Sequence, residues 1–168
     1  MKSAKISQLI VMTNKEIKIS YQEYDSPCEL EKEFQSLVQA AIEATEQSYA
    51  PYSKFNVGAA VLLEDGTVIK GSNQENAAFP SGLCAERTAL FYAGASYPAK
   101  AVVAIAIAGA QNGILCKSPV TPCGACRQVM AQYQTRGGKP MTTILIGSDK
   151  ILKFKQVEDL LPFTFDSI

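Results

Sequence analysis

The sequence of 168 residues contains no histidine. Imidazole is the side chain that proteins use most often for proton transfer and for binding metals. Any metal site in this chain must therefore use cysteine or carboxylate ligands, and any general acid or base must be another group. The sequence also lacks an excess of charge, because 16 basic and 16 acidic residues cancel. Proteins that bind nucleic acids normally carry a basic surplus, so we expect no nucleic-acid partner.

Long apolar runs are absent as well. The longest apolar stretch, residues 101–110, is far shorter than the roughly 18 residues that cross a bilayer, and it is typical of a buried strand. The first twelve residues lack the apolar core and the cleavage site of a secretory signal. Five cysteines, an odd number, do not suggest a disulfide framework. We therefore expect a cytoplasmic protein with reduced thiols and no membrane partner.

The N-terminal part of the chain alternates apolar and polar residues. Apolar residues such as Ile17 and Ile19 recur with a period of two, which is typical of a half-buried strand. Residues 6–24 are therefore predicted to form two short strands. This prediction divides the chain into an N-terminal extension over residues 1–28, a strand hairpin, and one domain over residues 29–168.

The remainder of the chain alternates strand and helix patterns. The spacing of apolar residues predicts helices over residues 29–49, 83–95, 123–133 and 157–161, and strands over 57–64, 67–72, 101–108 and 142–147. Alternating strands and helices indicate an α/β fold with a partly parallel sheet, and the turn at Asp65-Gly66 makes that sheet mixed. We expect a three-layer α/β/α architecture with one mixed central sheet.

Three cysteines are placed at predicted helix starts. Cys123 and Cys126 lie three residues apart in the first turn of one helix, so both sulfurs point the same way, and Cys84 begins another helix. Helix N-termini stabilise thiolates, and three protein ligands leave the open fourth position of a catalytic zinc site. A Cys-x-x-Cys pair alone also fits a redox pair, half of a structural zinc site or two core cysteines. Cys28 and Cys116 are candidates for a fourth thiolate, but neither has ligand-like spacing.

Two charged residues follow Cys84 directly. Glu86 is close enough to a metal to act on its bound water without being a ligand, and it is the best proton shuttle in a chain without histidine. Arg87 could withdraw negative charge from the sulfurs. Isolated residues of these types are more often solvated surface charges, so their meaning depends on the neighbouring cysteines.

The segments Cys84-Ala-Glu86-Arg87-Thr-Ala and Pro122-Cys123-Gly-Ala-Cys126-Arg127-Gln128-Val-Met closely resemble the zinc-dependent cytidine deaminases, in particular their small three-cysteine, homotetrameric branch. Residues 50–60, 71–80 and 160–165 resemble further segments of that family, so the similarity covers most of the chain from about residue 29 to 165. The resemblance implies a cytidine deaminase-like fold. It also implies the zinc chemistry described for this class, in which an activated water attacks the base and a glutamate moves protons.

The resemblance implies a specific function. Zn²⁺ would be bound by Cys84, Cys123 and Cys126. Cytidine and deoxycytidine would be deaminated hydrolytically to uridine and deoxyuridine, a reaction of pyrimidine salvage, with attack at C4 and Glu86 as proton shuttle. The remaining assignments are Asn73 and Glu75 on the ribose, Phe55 and Phe79 around the base, the backbone of Ala77 and Ala85 at the base edge, and Phe165 reaching into a neighbouring subunit. Shared active sites of this kind imply a homotetramer.

Two positions depart from the family pattern. Phe79 stands where tyrosine is common, and Gln74 stands where an aliphatic residue is common. Alternatives that remain are a deaminase of a modified pyrimidine nucleoside, a polynucleotide cytosine deaminase, and a non-catalytic zinc-stabilised binding module. Asn73 and Glu75 favour a simple nucleoside, the balanced charge disfavours a polynucleotide, and an intact Glu86 argues against a non-catalytic module.

Overall fold

The computed structural model describes residues 13–166. Within this range the regular elements are β1 (Gln22–Tyr24), α1 (Lys32–Ala44), β2 (Phe55–Leu63), β3 (Val68–Ser72), α2 (Ala85–Ser96), β4 (Val102–Gln111), β5 (Ile114–Leu115), α3 (Gly124–Gly137), β6 (Thr142–Ile146) and β7 (Ile151–Phe154). Single 3₁₀ turns occur at Pro27–Glu29, Thr45–Gln47, Phe79–Ser81 and Val157–Asp159. Among the described residues, no helix is both long enough and apolar enough to cross a lipid bilayer.

The strands form one mixed sheet. Their order is β1-β7-β6-β4-β2-β3, and the short β5 pairs with the end of β4. Strands β4 and β6 run parallel, with Ala104 opposite Thr142, whereas the other pairs are antiparallel. The turn between β2 and β3 contains Gly66 at φ +88°, a left-handed conformation that glycine adopts without strain. The prediction of a mixed central sheet is confirmed.

Helices cover both faces of this sheet. Helix α1 lies on one face, where Leu37, Val38, Ala60, Ala106 and Ile144 belong to one buried cluster. Helices α2 and α3 lie on the other face, where the buried cluster includes Leu90, Ile105, Ile107, Met130 and Leu145. Because β4 is buried on both sides, it needs small and apolar residues throughout, as its Ala- and Ile-rich sequence provides. The three-layer prediction is therefore confirmed.

Several element boundaries differ from the predicted ones. Helix α1 ends at Ala44 rather than at residue 49, because the chain tightens into a 3₁₀ turn and then becomes extended at Ser48. The predicted helix over residues 157–161 is a single 3₁₀ turn. Strand β7 has only four residues, too few for a periodic signal, and its antiparallel pairing with β6 defines it instead.

The predicted N-terminal hairpin lies partly outside the described residues. Residues 13–21 carry no regular secondary structure, and Ile17 and Ile19 are exposed, because no strand of the described chain lies beside them. Only β1 is a strand here, and its partner is the distant β7 rather than a neighbouring strand of the extension. The N-terminal segment therefore covers one edge of the sheet.

The sheet topology places the starts of α2 and α3 at the same edge. Strands β3 and β4 are both antiparallel to β2, so they run in the same direction and end at the same side of the sheet. Helix α2 begins after β3, and α3 begins after the short β5, which pairs with the end of β4. Residues at the two helix N-termini are thereby brought together.

Candidate active site

Two cysteines occupy the position immediately before a helix. Cys84 precedes α2 and Cys123 precedes α3, both with extended backbone, and Cys126 is buried in the first turn of α3. The Sγ atoms of Cys84 and Cys123 are 3.9 Å apart, and the three sulfurs lie within 4.8 Å of one another. Two helix N-termini thus direct their positive dipole ends toward one group of thiols.

This sulfur geometry fits a zinc ion. A tetrahedral site with Zn–S bonds of about 2.3 Å places its sulfurs about 3.8 Å apart, close to the distance between Cys84 and Cys123. Among the described residues, no other group of three cysteines or acidic residues has this arrangement. Cys28 and Cys116 are free thiols outside the group, so the site offers three protein ligands.

Cys84 and Cys126 have opposite pKa shifts, because their thiols share a hydrogen bond. The pKa of the Cys84 thiol falls to about 5, mainly because Cys126 donates a hydrogen bond to it and also because Arg87 lies beside it. The same hydrogen bond, together with burial, raises the pKa of Cys126 above its usual value. A divalent cation would remove this conflict, because it attracts all three sulfurs as thiolates.

Glu86 is a buried carboxyl group without a full set of partners. Its side chain lies in the first turn of α2 and is 4% exposed, and burial raises its pKa above the ordinary value for glutamate. Its Oε2 atom has no hydrogen-bond partner in the described chain. A buried polar atom without a partner is costly, and a ligand is one explanation for its presence. The carboxyl group is therefore available for substrate or solvent in the cavity that it lines.

A cavity of about 680 Å³ opens beside the thiols, within the range typical of small-molecule sites. The predicted site residues that line it are Phe55, Asn73, Glu75, Phe79, Cys84, Glu86, Arg87 and Cys123. Cys126 lies buried behind this wall. The predicted metal ligands, the predicted proton shuttle and most of the predicted substrate contacts thus meet in one place.

Asn73 and Glu75 are both held by the backbone. The Asn73 amide accepts from Val57 N at 2.8 Å and donates to Phe55 O at 2.9 Å, which joins the end of β3 to β2. Glu75 Oε2 accepts from the N–H groups of Tyr52 at 2.8 Å and Ser53 at 3.2 Å. Hydrogen bonds from Ser53 and Tyr52 lower the pKa of Glu75, so this residue presents a fixed carboxylate to the cavity.

Comparison with known proteins agrees with this site. The family model of the cytidine and deoxycytidylate deaminase zinc-binding region matches residues 31–137, more than half of the chain. The chain belongs to this family. The matched region includes the three cysteines, Glu86 and Arg87.

Individual members of the family are similar over most of their length. A cytidine deaminase of Halalkalibacterium halodurans is 54% identical over 131 residues, which cover 78% of this chain and 92% of that protein. A cytidine deaminase of Sporosarcina psychrophila is 42% identical over 131 residues, which cover 78% of this chain and 90% of that protein. The crystal structure of cytidine deaminase from Burkholderia pseudomallei aligns with TM-score 0.65 and 41% identity over 77% of this chain and 97% of that chain. The fold is therefore that of this zinc-binding deaminase family.

The aromatic side chains at the cavity are arranged around an exposed rim. Phe79 is 74% exposed, and its ring meets the Tyr52 ring edge-to-face with centroids 5.9 Å apart. Phe55 begins β2 and lines the cavity from the sheet side. Ala77 and Ala85 do not line the cavity, and Ala85 is fully buried as the first residue of α2. Tyr52 was not assigned a role from the sequence, although it lies in the segment that resembles the family.

Phe165 lies apart from the cavity of its own chain. Its side chain is 69% exposed and contributes nothing to the cavity wall. Its backbone is hydrogen-bonded to the side chain of Gln128 on α3. Gln128 belongs to the cysteine motif, but the family resemblance implies no role for it. No local signal links two residues that are 37 positions apart.

Proposed function

We propose that this chain is a zinc-dependent cytidine deaminase, which hydrolyses cytidine and deoxycytidine to uridine and deoxyuridine with release of ammonia. The observation that carries the proposal is the convergence of three thiols with a buried, incompletely bonded Glu86 at one wall of a cavity of about 680 Å³. Family membership supports the same reaction, because the similar proteins above are named cytidine deaminases.

In this proposal, Cys84, Cys123 and Cys126 hold Zn²⁺. When bound, zinc acts as a Lewis acid that makes a water molecule acidic near neutral pH. The negative charge of three thiolates would weaken that effect. The Arg87 guanidinium, which donates to Cys84 Sγ at 3.7 Å, and the two helix N-termini offset part of this charge.

Glu86 moves the protons of the reaction. It accepts a proton from the attacking water and delivers it to N3 of the pyrimidine, which makes C4 more electrophilic. It then takes the proton of the hydroxyl group that has formed at C4 and carries it to the exocyclic amino group, which leaves as ammonia while the C4 carbonyl forms. Burial supports this role, because a raised pKa brings the carboxyl group closer to the value at which it both accepts and returns protons at neutral pH.

The substrate contacts follow from the cavity wall. We assign Glu75 and Asn73 to the ribose hydroxyls and Phe55 and Phe79 to the faces of the base. Glu75 supports this assignment, because its carboxylate lines the cavity and is fixed there by the backbone N–H groups of Tyr52 and Ser53. The backbone of Ala77 and Ala85, which do not line the cavity, is assigned to the edge of the base from the family resemblance alone.

We also propose a homotetramer in which subunits share their active sites. Phe165 supports this arrangement, because an exposed aromatic ring that is absent from its own cavity is available to a neighbouring copy. The proposed metal site needs three reduced thiols, so a reducing compartment, the cytoplasm, is the proposed location.

The test is the loss of cytidine absorbance in the ultraviolet with zinc-replete protein, measured in parallel with cytidine monophosphate and a cytosine-containing oligonucleotide. We expect turnover of cytidine and deoxycytidine only. Turnover of the oligonucleotide or the monophosphate would change the substrate class. No turnover of any substrate by protein that holds one zinc per chain would reject the proposal.

A further inference from the structure

Two side chains of α3 are bonded to the C-terminal segment, residues 160–166, and one of them, Gln128, holds its far end. Gln128 Nε2 donates to the carbonyl oxygen of Phe165 at 2.6 Å, and Gln128 Oε1 accepts from Phe165 N at 3.2 Å. Gln128 is the second residue after Cys126, so it lies beside the first turn of the helix that carries two of the thiols. The side-chain amide of Gln128 thus bonds both the N–H and the C=O group of Phe165. A residue of a neighbouring β-strand would make the same two hydrogen bonds.

These two bonds are the main polar restraint on the end of the chain. Within residues 162–166, the other hydrogen bond in the described structure joins Thr164 to Asp166, inside the segment itself. Arg127, adjacent to Gln128, donates to the carbonyl oxygen of Leu160 at 2.7 Å and so fixes the start of the segment. Beyond that point the backbone position depends on Gln128.

The restrained residue has an exposed ring. Phe165 is 69% exposed even though its backbone is bonded on both sides, and its ring does not contribute to its own cavity. Fixing an aromatic side chain before it meets a partner reduces the conformational entropy that is lost on contact. Holding the Phe165 backbone would therefore favour binding if the ring contacts another molecule.

We infer that Gln128 is a positioning residue, which fixes the backbone of Phe165 so that the ring completes the nucleoside cavity of a second copy of the chain. This inference rests on the proposed function. It predicts an effect on substrate binding in the neighbouring subunit, because Gln128 itself belongs neither to the group of thiols nor to the residues that line the cavity.

The first experiment compares Gln128→Ala with Gln132→Ala. Gln132 lies one turn further along α3, is exposed, and has no side-chain hydrogen bond within the described chain, so it is a matched control. We expect Gln128→Ala to raise KM for cytidine by about tenfold, with kcat changed less than about twofold, as for loss of one aromatic contact. Gln132→Ala should leave both constants unchanged.

Gln128→Glu is the second variant, and it preserves the size of the side chain. An ionised carboxylate accepts from Phe165 N but cannot donate to its carbonyl oxygen, so KM should rise here too. In the Gln128→Ala/Phe165→Ala double variant, the two substitutions should be non-additive, because both remove the same contact. Additive effects, or a fall in kcat at unchanged KM, would overturn the inference.

Mixed assemblies test whether the effect crosses the subunit boundary. Chains with Glu86→Gln have an intact C-terminal segment but no proton shuttle. Chains with Gln128→Ala keep the proton shuttle, but the backbone of their Phe165 is no longer held. In co-assembled protein, the active sites of the Gln128→Ala chains should recover the wild-type KM. Recovery would confirm action in the neighbouring subunit, and an unchanged high KM would refute it. If the wild type itself turned over no cytidine, the proposed function would fail instead, so the two failures are distinguishable.

Discussion

Arg87 Nη2 lies 3.7 Å from the Sγ of Cys84, three residues earlier in the chain. This spacing places the guanidinium group and the thiol on one side of the start of α2. The nearby thiolate raises the pKa of Arg87 further, so the side chain is a permanent positive charge beside the sulfurs. Its Nε atom is buried without a partner in the described chain. We therefore expect Arg87 to act on the proposed metal ligands through its charge rather than as a ligand.

Replacing Arg87 with alanine should weaken zinc binding and catalysis together. Loss of a group behind the metal ligands typically costs about 10- to 100-fold in affinity or activity. Zinc content after dialysis and kcat/KM for cytidine measure the two effects. Lys155→Ala removes the same formal charge at an exposed position away from the thiols and should change neither. If Lys155→Ala had an equal effect, overall charge rather than the Cys84 contact would be responsible.

Replacing Glu86 with glutamine should retain zinc and remove turnover. The amide has almost the same shape but cannot carry the proton, so kcat should fall by at least about 100-fold. The measurement is cytidine turnover together with metal analysis of the same sample. Glu33→Gln is the control, because Glu33 also lies in the first turn of a helix but is exposed on α1. A Glu86→Gln variant with wild-type kcat would exclude the assigned role.

Much of the site could be predicted because its signals are local. Cys123 and Cys126 share a helical turn, and Glu86 and Arg87 follow Cys84 directly, so sequence spacing alone relates them. The proximity of the α2 start, with Cys84, to the α3 start, with Cys123, could not be predicted from local spacing. It depends on β3 and β4 both being antiparallel to β2, a long-range feature that the family resemblance supplied.

The edges of the fold were less predictable. Strand β7 depends on pairing with β6 and β1, and four residues carry too little periodicity to reveal it. The alternation at Ile17 and Ile19 suggested a strand, but a strand also needs a partner for its backbone, and none of the described strands lies there. The alternation of apolar and polar residues indicates only which side chains could share a face. Strand formation also requires backbone hydrogen bonds.

Removing residues 1–25 should destabilise the protein without abolishing its activity. The truncation exposes the edge of β7 and removes the Glu23–Lys150 ion pair and the contact between the Tyr21 and Phe154 rings. The ion pair is exposed and contributes little, whereas the ring contact contributes about 0.5–1.5 kcal/mol. Thermal unfolding should shift downward by several degrees, with KM for cytidine unchanged. A truncation of residues 1–12 keeps β1 and is the reference against which the shift of the longer truncation is measured. Lost activity in the longer truncation would contradict a catalytic domain that begins near residue 29.

Helices α2 and α3 approach each other closely where Gly94 faces the side chain of Tyr133. A Cβ atom at Gly94 of α2 would lie 2.2 Å from Tyr133 Oη of α3, closer than real Cβ contacts allow. Alanine normally favours a helix over glycine by about 1 kcal/mol, but overpacking costs about 1–3 kcal/mol, so Gly94→Ala should lower the free energy of unfolding.

Tyr133→Phe removes the clashing oxygen, and that oxygen has no hydrogen-bond partner in the described chain, so this single substitution should be nearly neutral. The Gly94→Ala/Tyr133→Phe double variant should recover much of the lost stability in urea unfolding, giving a favourable coupling energy between the two sites. Cys84 and Cys123 stand immediately before the same two helices, so we expect a change in helix spacing to alter the distance between their sulfurs. Zinc retention should therefore fall in Gly94→Ala and recover in the double variant. Stability that recovers without zinc retention would show that the metal site does not depend on this helix contact.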